Sequence, residues 1–214
     1  EITIGDWSSD VCSSDLFSLI SGFCQWYNSK KEVFLLIVGL DNAGKTTFLE
    51  QMKGVFSKMP VKALDRIPPT VGLNVATIEI EDVRVVIWDV GGHKSMRSLW
   101  SKYYRDCHGV IFLIDSSDPD RFKEVKEELR DLASNTDLED LPILICANKQ
   151  DLAEAVEPEV IRNILGNVIS EHKHKHAFRF QGTSALTCEG IKTGVTWVVG
   201  RAEQTNRAKS APTN

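Results

Sequence analysis

Three features of the chain predict an α/β fold of the doubly wound type: a six-stranded, mostly parallel sheet with one antiparallel strand and helices on both faces. Strand-like and helix-like segments alternate almost throughout, the pattern of βαβ units. The alternation breaks once, where Val75–Ile80 and Val83–Trp88 are separated only by Glu81 and Asp82, so that pair forms an antiparallel hairpin. The first strand, Val33–Val38, runs straight into Gly39-Leu40-Asp41-Asn42-Ala43-Gly44-Lys45-Thr46, which fits the phosphate-loop pattern G-x-x-x-x-G-K-[ST].

Length and composition bound the remaining possibilities. The 214 residues, 42% hydrophobic and 26% charged, suit one well-buried globular domain and no second. Residues 1–16 (EITIGDWSSDVCSSDL) have neither an apolar signal core nor periodicity, and read as a leader foreign to the domain, similar to a translated sequencing adapter. They carry Glu1, Asp6, Asp10 and Asp15 without a Lys or Arg, so the rest of the chain is close to neutral and shows no basic excess for nucleic acid. Cys12, Cys24, Cys107, Cys146 and Cys188 share no metal-ligand or C-x-x-C spacing, and reduced thiols in a cytosolic protein are expected. No apolar run approaches the length of a transmembrane helix.

The elements follow in order. Phe17–Asn28 places Phe17, Ile20, Phe23, Cys24 and Tyr27 at helical spacing, with Lys30 and Lys31 trailing. Such a helix suits a membrane interface or the domain's own surface. The domain organisation is thus an amphipathic helix at 17–31, a nucleotide-binding domain at 32–202 and a polar tail at 203–214. Val33–Val38 is a continuous apolar run, as expected of a strand buried on both faces. Lys45–Lys53 is a helix, and Gly54–Pro69, with Pro60, Pro68 and Pro69, a loop. The hairpin follows, then a helix over Ser95–Arg105 with Met96, Leu99, Trp100 and Tyr103 on one side. Gly109–Asp115 is a buried strand. Asp118-Pro119 opens a helix to about Ala133, with Pro at its first position and Phe122, Val125, Leu129 and Leu132 inward. Ile143–Ala147 is a strand, Pro158–Ser170 a helix, Phe178–Phe180 the last strand and Gly190–Ala202 the closing helix.

Chemistry gathers at the carboxyl ends of the strands, where such sheets bind ligands. The phosphate-loop glycines let consecutive backbone N–H groups turn towards a phosphate, and the helix beginning near Lys45 adds its positive dipole end. Lys45 reaches β- and γ-phosphates, and the Thr46 hydroxyl ligates Mg²⁺. Asp89, at the end of the second hairpin strand, stands at the position that holds Mg²⁺ through water, and Gly91-Gly92 permit close approach to a γ-phosphate. Asn148-Lys149-Gln150-Asp151 selects the base. A carboxylate at Asp151 accepts from guanine N1 and N2, and adenine would leave it unpaired. The Lys149 stem covers the base face, and the Ala185 N–H approaches the guanine carbonyl.

With these motifs in view, the chain resembles the Arf family of small GTPases over about Phe17–Arg201. The matching stretches are Gly39–Thr47 (GLDNAGKTT), Pro69–Asn74 (PTVGLN), Trp88–Gly92 (WDVGG), Asn148–Asp151 (NKQD) and Ser184–Leu186 (SAL), plus the N-terminal helix. Lys45–Gln51 (KTTFLEQ), the long loop before Thr70, Ser98–Tyr104 (SLWSKYY) and Cys107–Ile111 (CHGVI) look like its Arf-related branch. The resemblance implies a P-loop fold of the small GTPase type and a GTP/GDP switch with Mg²⁺. Asp41, Asn42, Ala43, Gly44, Lys45, Thr46, Thr47, Thr70, Gly92, Asn148, Lys149, Asp151, Ser184, Ala185 and Leu186 would hold the nucleotide. Thr46, Thr70 and Asp89 would serve the metal. Leu73, Trp88 and Tyr103 would form an apolar effector triad, with Leu73 replacing the usual Phe. It further implies a nucleotide-exchange factor, a GTPase-activating protein, effectors or tethers at the Golgi and trans-Golgi network, and a membrane surface met through the N-terminal helix. GTP would slide the hairpin and release that helix.

One position departs from the family. Where Arf relatives carry Gln to orient the attacking water, this chain has His93. An imidazole can hold a water, so His93 is the candidate catalytic residue, and slow intrinsic hydrolysis is expected. A hydrolysis-impaired, GTP-bound scaffold is then an alternative to a cycling switch. A P-loop kinase is disfavoured by N-K-Q-D. His172, His174 and His176 alternate and would share one face of a strand, which could gather a metal; a solvated loop is the other outcome.

Overall fold

The computed structural model describes residues 31–57, 68, 70 and 72–205. The leader, the Phe17–Asn28 helix, most of the loop before Thr70 and the tail beyond residue 205 lie outside these described residues.

The strands are β1 (Lys31–Val38), β2 (Leu73–Ile80), β3 (Val83–Val90), β4 (Gly109–Asp115), β5 (Ile143–Asn148) and β6 (Phe178–Gly182). They form one sheet in the order β2-β3-β1-β4-β5-β6, parallel except for the β2–β3 pair. The helices are α1 (Lys45–Ser57), α2 (Phe122–Ser134), α3 (Pro158–His172) and α4 (Ile191–Ala202), with a 3₁₀ helix at Lys94–Tyr103.

The period-two alternation of β1 divides the core. Leu35 and Ile37 face one side, with Phe48, Leu49 and Met52 of α1 and Val195 and Val198 of α4. Leu36 and Val38 face the other, with Trp100, Leu129 and Leu132 and with Leu165 and Val168 of α3. Burial on both faces is why this strand has no polar alternation. Edge strand β2 does alternate: Ala76, Ile78 and Ile80 are buried, while Val75, Thr77 and Glu79 face out. The two-residue turn to β3 puts Glu81 at φ 55°, as tight hairpins require.

Several boundaries differ from expectation. α1 runs past Gly54 to Ser57, because Phe56 packs on the first core cluster and holds the last turn helical. β2 starts at Leu73, since Leu73 and Asn74 already pair with Val90 and Asp89. The segment after Gly92 is 3₁₀ rather than α. At about three residues per turn, positions i and i+3 eclipse, so Arg97 and Trp100 both point inward. A 3₁₀ turn at Pro119–Arg121 precedes α2. On α3, Ile161, Leu165 and Val168 are buried, whereas the apolar Val160 is exposed.

The histidine run does not form a strand. His172 ends α3 and a turn follows. His176 is buried instead, its Nε2 2.9 Å from Ala133 O and its Nδ1 3.3 Å from Leu141 O. The described residues hold no His, Cys, Asp and Glu group that could take a metal ion, so the metal reading of this run is overturned by its helix-and-turn backbone.

Candidate nucleotide-binding site

The loops after β1, β3, β4, β5 and β6 all open on the carboxyl edge of the sheet. Between them lies a cleft of about 510 Å³, with Asn42, Lys45, Thr46, Thr70, His93 and Lys149 among its walls. That volume lies in the ordinary range for small-molecule sites.

The loop after β1 needs its glycines. Gly39 has φ 141°, and a Cβ there would fall 2.2 Å from Leu113 O. Gly44, at φ 83°, would put a Cβ 2.6 Å from Asn148 Nδ2. Asn42 takes the left-handed conformation at φ 64°, which Asn tolerates. Lys45 is buried and folds back on the loop, donating to Gly39 O at 3.0 Å and Leu40 O at 2.8 Å. Burial lowers its pKa to about 8, against the opposing pull of the Asp89 charge. The Asp41 carboxylate is taken by Arg121 at 2.8 Å, which holds its pKa below the usual range. Ala43 packs in the core, so its share in ligand contact is limited to backbone. Thr47 stands at the cleft wall.

Thr46, Thr70 and Asp89 meet at one point. The two hydroxyl oxygens are 2.6 Å apart, and Asp89 Oδ2 accepts from Thr46 at 2.7 Å and Thr70 at 3.2 Å. Asp89 is fully buried, and its Oδ1 lacks a hydrogen-bond partner among the described residues. Burial raises its pKa, while the Thr46 hydrogen bond and Lys45 oppose the rise. All the donors are oxygens, as Mg²⁺ prefers, and an octahedral ion spaces neighbouring ligand oxygens about 3 Å apart. The donor set therefore fits Mg²⁺, whose charge would favour the ionised form of Asp89 and oppose the effect of burial.

At the base end, Asn148 is buried and uses Oδ1 and one of its two Nδ2 hydrogens within the protein. It donates to Ala43 O at 2.9 Å and accepts from Ala185 N at 3.0 Å and Thr183 Oγ1 at 3.3 Å. It ties the phosphate loop to the Ser184–Leu186 loop. The Ala185 N–H is therefore engaged by Asn148, not left for a guanine carbonyl as expected. Ser184 donates to Asp151 Oδ1 at 2.5 Å and accepts from the Leu186 and Thr187 N–H groups, so it orients the exposed carboxylate. The Leu186 side chain is exposed. Lys149, at φ 68°, is pinned by Asp115 Oδ2 at 2.6 Å.

Asp115 was missed by sequence reasoning. Its place at the end of β4, on the same edge as the other loops, was the available signal. Arg97, Arg121 and Thr183 carried none, because their roles arise from packing between distant segments.

Gly92 is buried against the phosphate loop: a Cβ there would lie 2.3 Å from Gly39 O and 2.4 Å from Lys45 Nζ. Next to it, His93 is exposed at the cleft rim, with Nδ1 2.9 Å from Ser95 Oγ. Behind the cleft, Trp88 stacks on Phe34 at 5.2 Å and meets Tyr103 at 5.4 Å between ring centroids. Trp88 and Tyr103 are half-buried, packed on one side against the second core cluster, and Leu73 is 38% exposed.

A phosphate loop beside a hydroxyl–carboxylate cluster, with a carboxylate set to read guanine on the same sheet edge, defines a small GTPase of the P-loop class. The comparisons with known proteins narrow it. The profile of the ADP-ribosylation factor family matches residues 19–202. The chain is 43% identical over 195 residues to ADP-ribosylation factor-like protein 3 of Saccharomyces cerevisiae, covering 91% of this chain and 98% of that one. It is 40% identical over 185 residues to ADP-ribosylation factor-related protein 1 of Rattus norvegicus, covering 86% and 92%. The structure of the Arl6 BBS3 small GTPase of Trypanosoma brucei, with bound nucleotide analogue GppNp, superposes with a TM-score of 0.70 at 32% identity, covering 81% and 98%. The chain belongs to the ADP-ribosylation factor family. It is thus a small GTPase that binds GTP or GDP with Mg²⁺ and hydrolyses GTP, in a family whose members work with exchange factors, activating proteins and effectors.

Proposed function

We propose that this GTPase regulates membrane traffic at the Golgi and trans-Golgi network, recruiting effectors or tethers to the membrane when GTP is bound. One observation carries the switch: the hairpin register sets Leu73 and Trp88 of the effector triad beside Asp89 of the hydroxyl–carboxylate cluster, and Tyr103 packs on Trp88 from the 3₁₀ helix. Trp88 directly precedes Asp89 on β3, and Leu73 pairs with Val90 in the register that brings Asn74 opposite Asp89. Thr70 lies just before Leu73 in the chain. Any shift of Thr70 and Asp89 is therefore delivered to Leu73 and Trp88 through backbone ladder bonds.

In this proposal Thr46 and Thr70 would hold Mg²⁺, with Asp89 reaching it through water. The ion, when bound, neutralises charge on the phosphates. Lys45 leaves the Gly39 and Leu40 carbonyls to pair with β- and γ-oxygens. The Gly92 N–H meets the γ-phosphate, and Asp151 reads guanine while Lys149 covers the base. Leu73 in place of the family's Phe gives a smaller, non-aromatic corner, so effector choice differs from that of ordinary Arf proteins. The membrane contact would come from the amphipathic 17–31 segment, of which residues 17–30 lie outside the described residues and Lys31 begins β1 rather than ending a helix.

A decisive experiment loads the chain from Phe17 onward with GTP or GDP and floats it with liposomes. GTP-dependent flotation and capture of effectors supports the proposal; equal partition of both forms overturns it.

A second proposal is favoured by His93. Its Nδ1 lies 2.9 Å from Ser95 Oγ at the rim, which holds the ring to the outer side of the cleft. Hydrolysis would then be slow and the GTP state long-lived, as in a scaffold. Single-turnover hydrolysis should rise about tenfold in His93→Gln, if water positioning is what the ring does poorly. Equal rates, or GDP in the purified wild type, would exclude the scaffold.

A further inference from the structure

Beside the cleft, a closed ring of charges ties the 3₁₀ helix and the start of α2 to the phosphate loop. Arg97 on the 3₁₀ helix is 9% exposed. Its Nε donates to Gly92 O at 2.9 Å. One terminal nitrogen donates to Glu124 Oε1 at 2.8 Å and Glu128 Oε1 at 2.7 Å on α2. The other stands 3.7 Å from Asp41 Oδ1 in the phosphate loop. Arg121 closes the ring, donating to Asp41 Oδ1 at 2.8 Å, Asp41 O at 3.2 Å and Glu124 Oε2 at 3.0 Å. The guanidinium of Arg97, followed by that of Arg121, keeps the Glu124 carboxyl below its ordinary pKa despite partial burial.

The geometry at Gly92 gives the ring a purpose. Glycine is the least restricted residue, so nothing in its own chemistry fixes the direction of its N–H. Two side chains do so here. Trp100 Nε1 donates to Gly91 O at 3.0 Å, which fixes the peptide plane that contains the Gly92 N–H. Arg97 holds Gly92 O, which fixes the next plane, the one that carries the His93 N–H. Eclipsing at i and i+3 in the 3₁₀ turn is what presents the two side chains to adjacent glycine carbonyls, one on each side of the Gly92 Cα.

We propose that Arg97 is a positioning residue for the triphosphate state: with Trp100 it clamps the two peptide planes around Gly92, and through Asp41 it locks them to the phosphate loop. This rests on the assignment of the Gly92 N–H to the γ-phosphate. Arginine is needed because its planar fork reaches a carbonyl and carboxylates in different directions at once, which a single ammonium cannot do.

The test is the dissociation rate of fluorescent GppNp and of fluorescent GDP, both with Mg²⁺, from wild type, Arg97→Ala, Arg97→Lys and Gly92→Ala, together with melting temperatures. Loss of one charge-assisted hydrogen bond at the γ-phosphate corresponds to roughly tenfold or more. Arg97→Ala and Arg97→Lys should therefore release GppNp at least about tenfold faster, and GDP less than about threefold faster. Arg97→Lys, retaining the charge, should melt within about 2 °C of wild type, which separates positioning from bulk stability. Equal acceleration of both nucleotides, or recovery of wild-type GppNp release in Arg97→Lys, overturns the proposal. Should Gly92→Ala leave the GppNp-to-GDP preference unchanged, the underlying assignment fails and the proposal with it. A selective loss in Gly92→Ala without one in Arg97→Ala defeats the Arg97 proposal alone.

Discussion

Replacing Gly92 by alanine isolates the contact that the proposed function assigns to the γ-phosphate. The added methyl would lie 2.3 Å from Gly39 O and 2.5 Å from Leu40 C, both backbone atoms. Only the third neighbour, Lys45 Nζ at 2.4 Å, is a mobile side-chain tip. The phosphate loop cannot retreat, because a Cβ at Gly39 would already fall 2.2 Å from Leu113 O, so β4 backs it directly. The Gly91–His93 segment must therefore lift by roughly 1 Å, at an overpacking cost of about 1–3 kcal/mol. For a chain of this size each kcal/mol lowers the melting temperature by about 2–4 °C. The lift also withdraws one N–H from a phosphate oxygen, worth about 1.5–3 kcal/mol for a charged acceptor, or about 10- to 150-fold in triphosphate affinity. GDP has no γ-phosphate and should bind within a few-fold of wild type. Competition titrations against labelled GDP measure both affinities. Gly166→Ala is the control: it makes the same chemical change in mid-α3, where nothing lies within 4 Å of the added methyl. It should stabilise by about 0.5–1 kcal/mol and leave both affinities alone. If Gly92→Ala weakens GTP and GDP equally, or weakens neither, the close packing of Gly92 on the phosphate loop has no bearing on the γ-phosphate.

Three further outcomes are expected. Asn148→Ala strips the buried clamp from Ala43 O and Ala185 N, at about 1–3 kcal/mol for each polar group left unpaired, so GDP and GTP should both leave at least tenfold faster in stopped-flow release. Asp151→Asn keeps the Ser184 hydrogen bond but presents an amide where guanine offers two donors; calorimetry should show a loss of about 100-fold or more in GTP affinity, with ATP still excluded. His176 has its pKa lowered, first by burial, so it folds neutral. Its contribution is then complete above the unfolded value near 6.5 and falls away as pH drops through the lower folded value. Melting temperatures from pH 7 to 5 should fall less steeply in His176→Gln than in wild type, and parallel curves would refute this.

Local chemistry decided how much was legible in the sequence. The strands and the hairpin followed from apolar runs and a two-residue gap, Val33–Val38 being the run expected of a strand buried on both faces; the order of the strands in the sheet did not. Lys45, Thr46, Asp89 and Asp151 could be picked out because each motif's spacing serves one ligand atom. Of the two readings of the histidine run, the metal site required an extended backbone, since alternation gives a shared face only then; α3 instead continues to His172, a turn follows, and His176 is buried. Asn148 was expected to face the ligand, yet its polar atoms serve Ala43, Thr183 and Ala185. Nothing within reach of a local motif could have shown this, because the partners lie in loops far apart in the chain. The same holds for Arg97, whose inward turn depends on a 3₁₀ rather than an α backbone.

That 3₁₀ turn also explains how a site made of loops can be stiff. Loop backbone is the most mobile part of most domains, and glycine the least restrained residue within it. Here Gly91 and Gly92 are required by close approach, so rigidity has to come from elsewhere. Trp100 supplies it from the second core cluster and Arg97 from α2. The hairpin extends this outward, since β3 runs from Asp89 to Trp88 and on to the Phe34 and Tyr103 rings. The proposed γ-phosphate contact and the proposed effector surface would thus be joined by packed side chains and ladder-bonded backbone rather than by free loop. On the proposed reading, Lys45 secures phosphate binding, while the clamp on Gly92 and the ring of His93 beside it would set how the third phosphate is sensed and how long it stays.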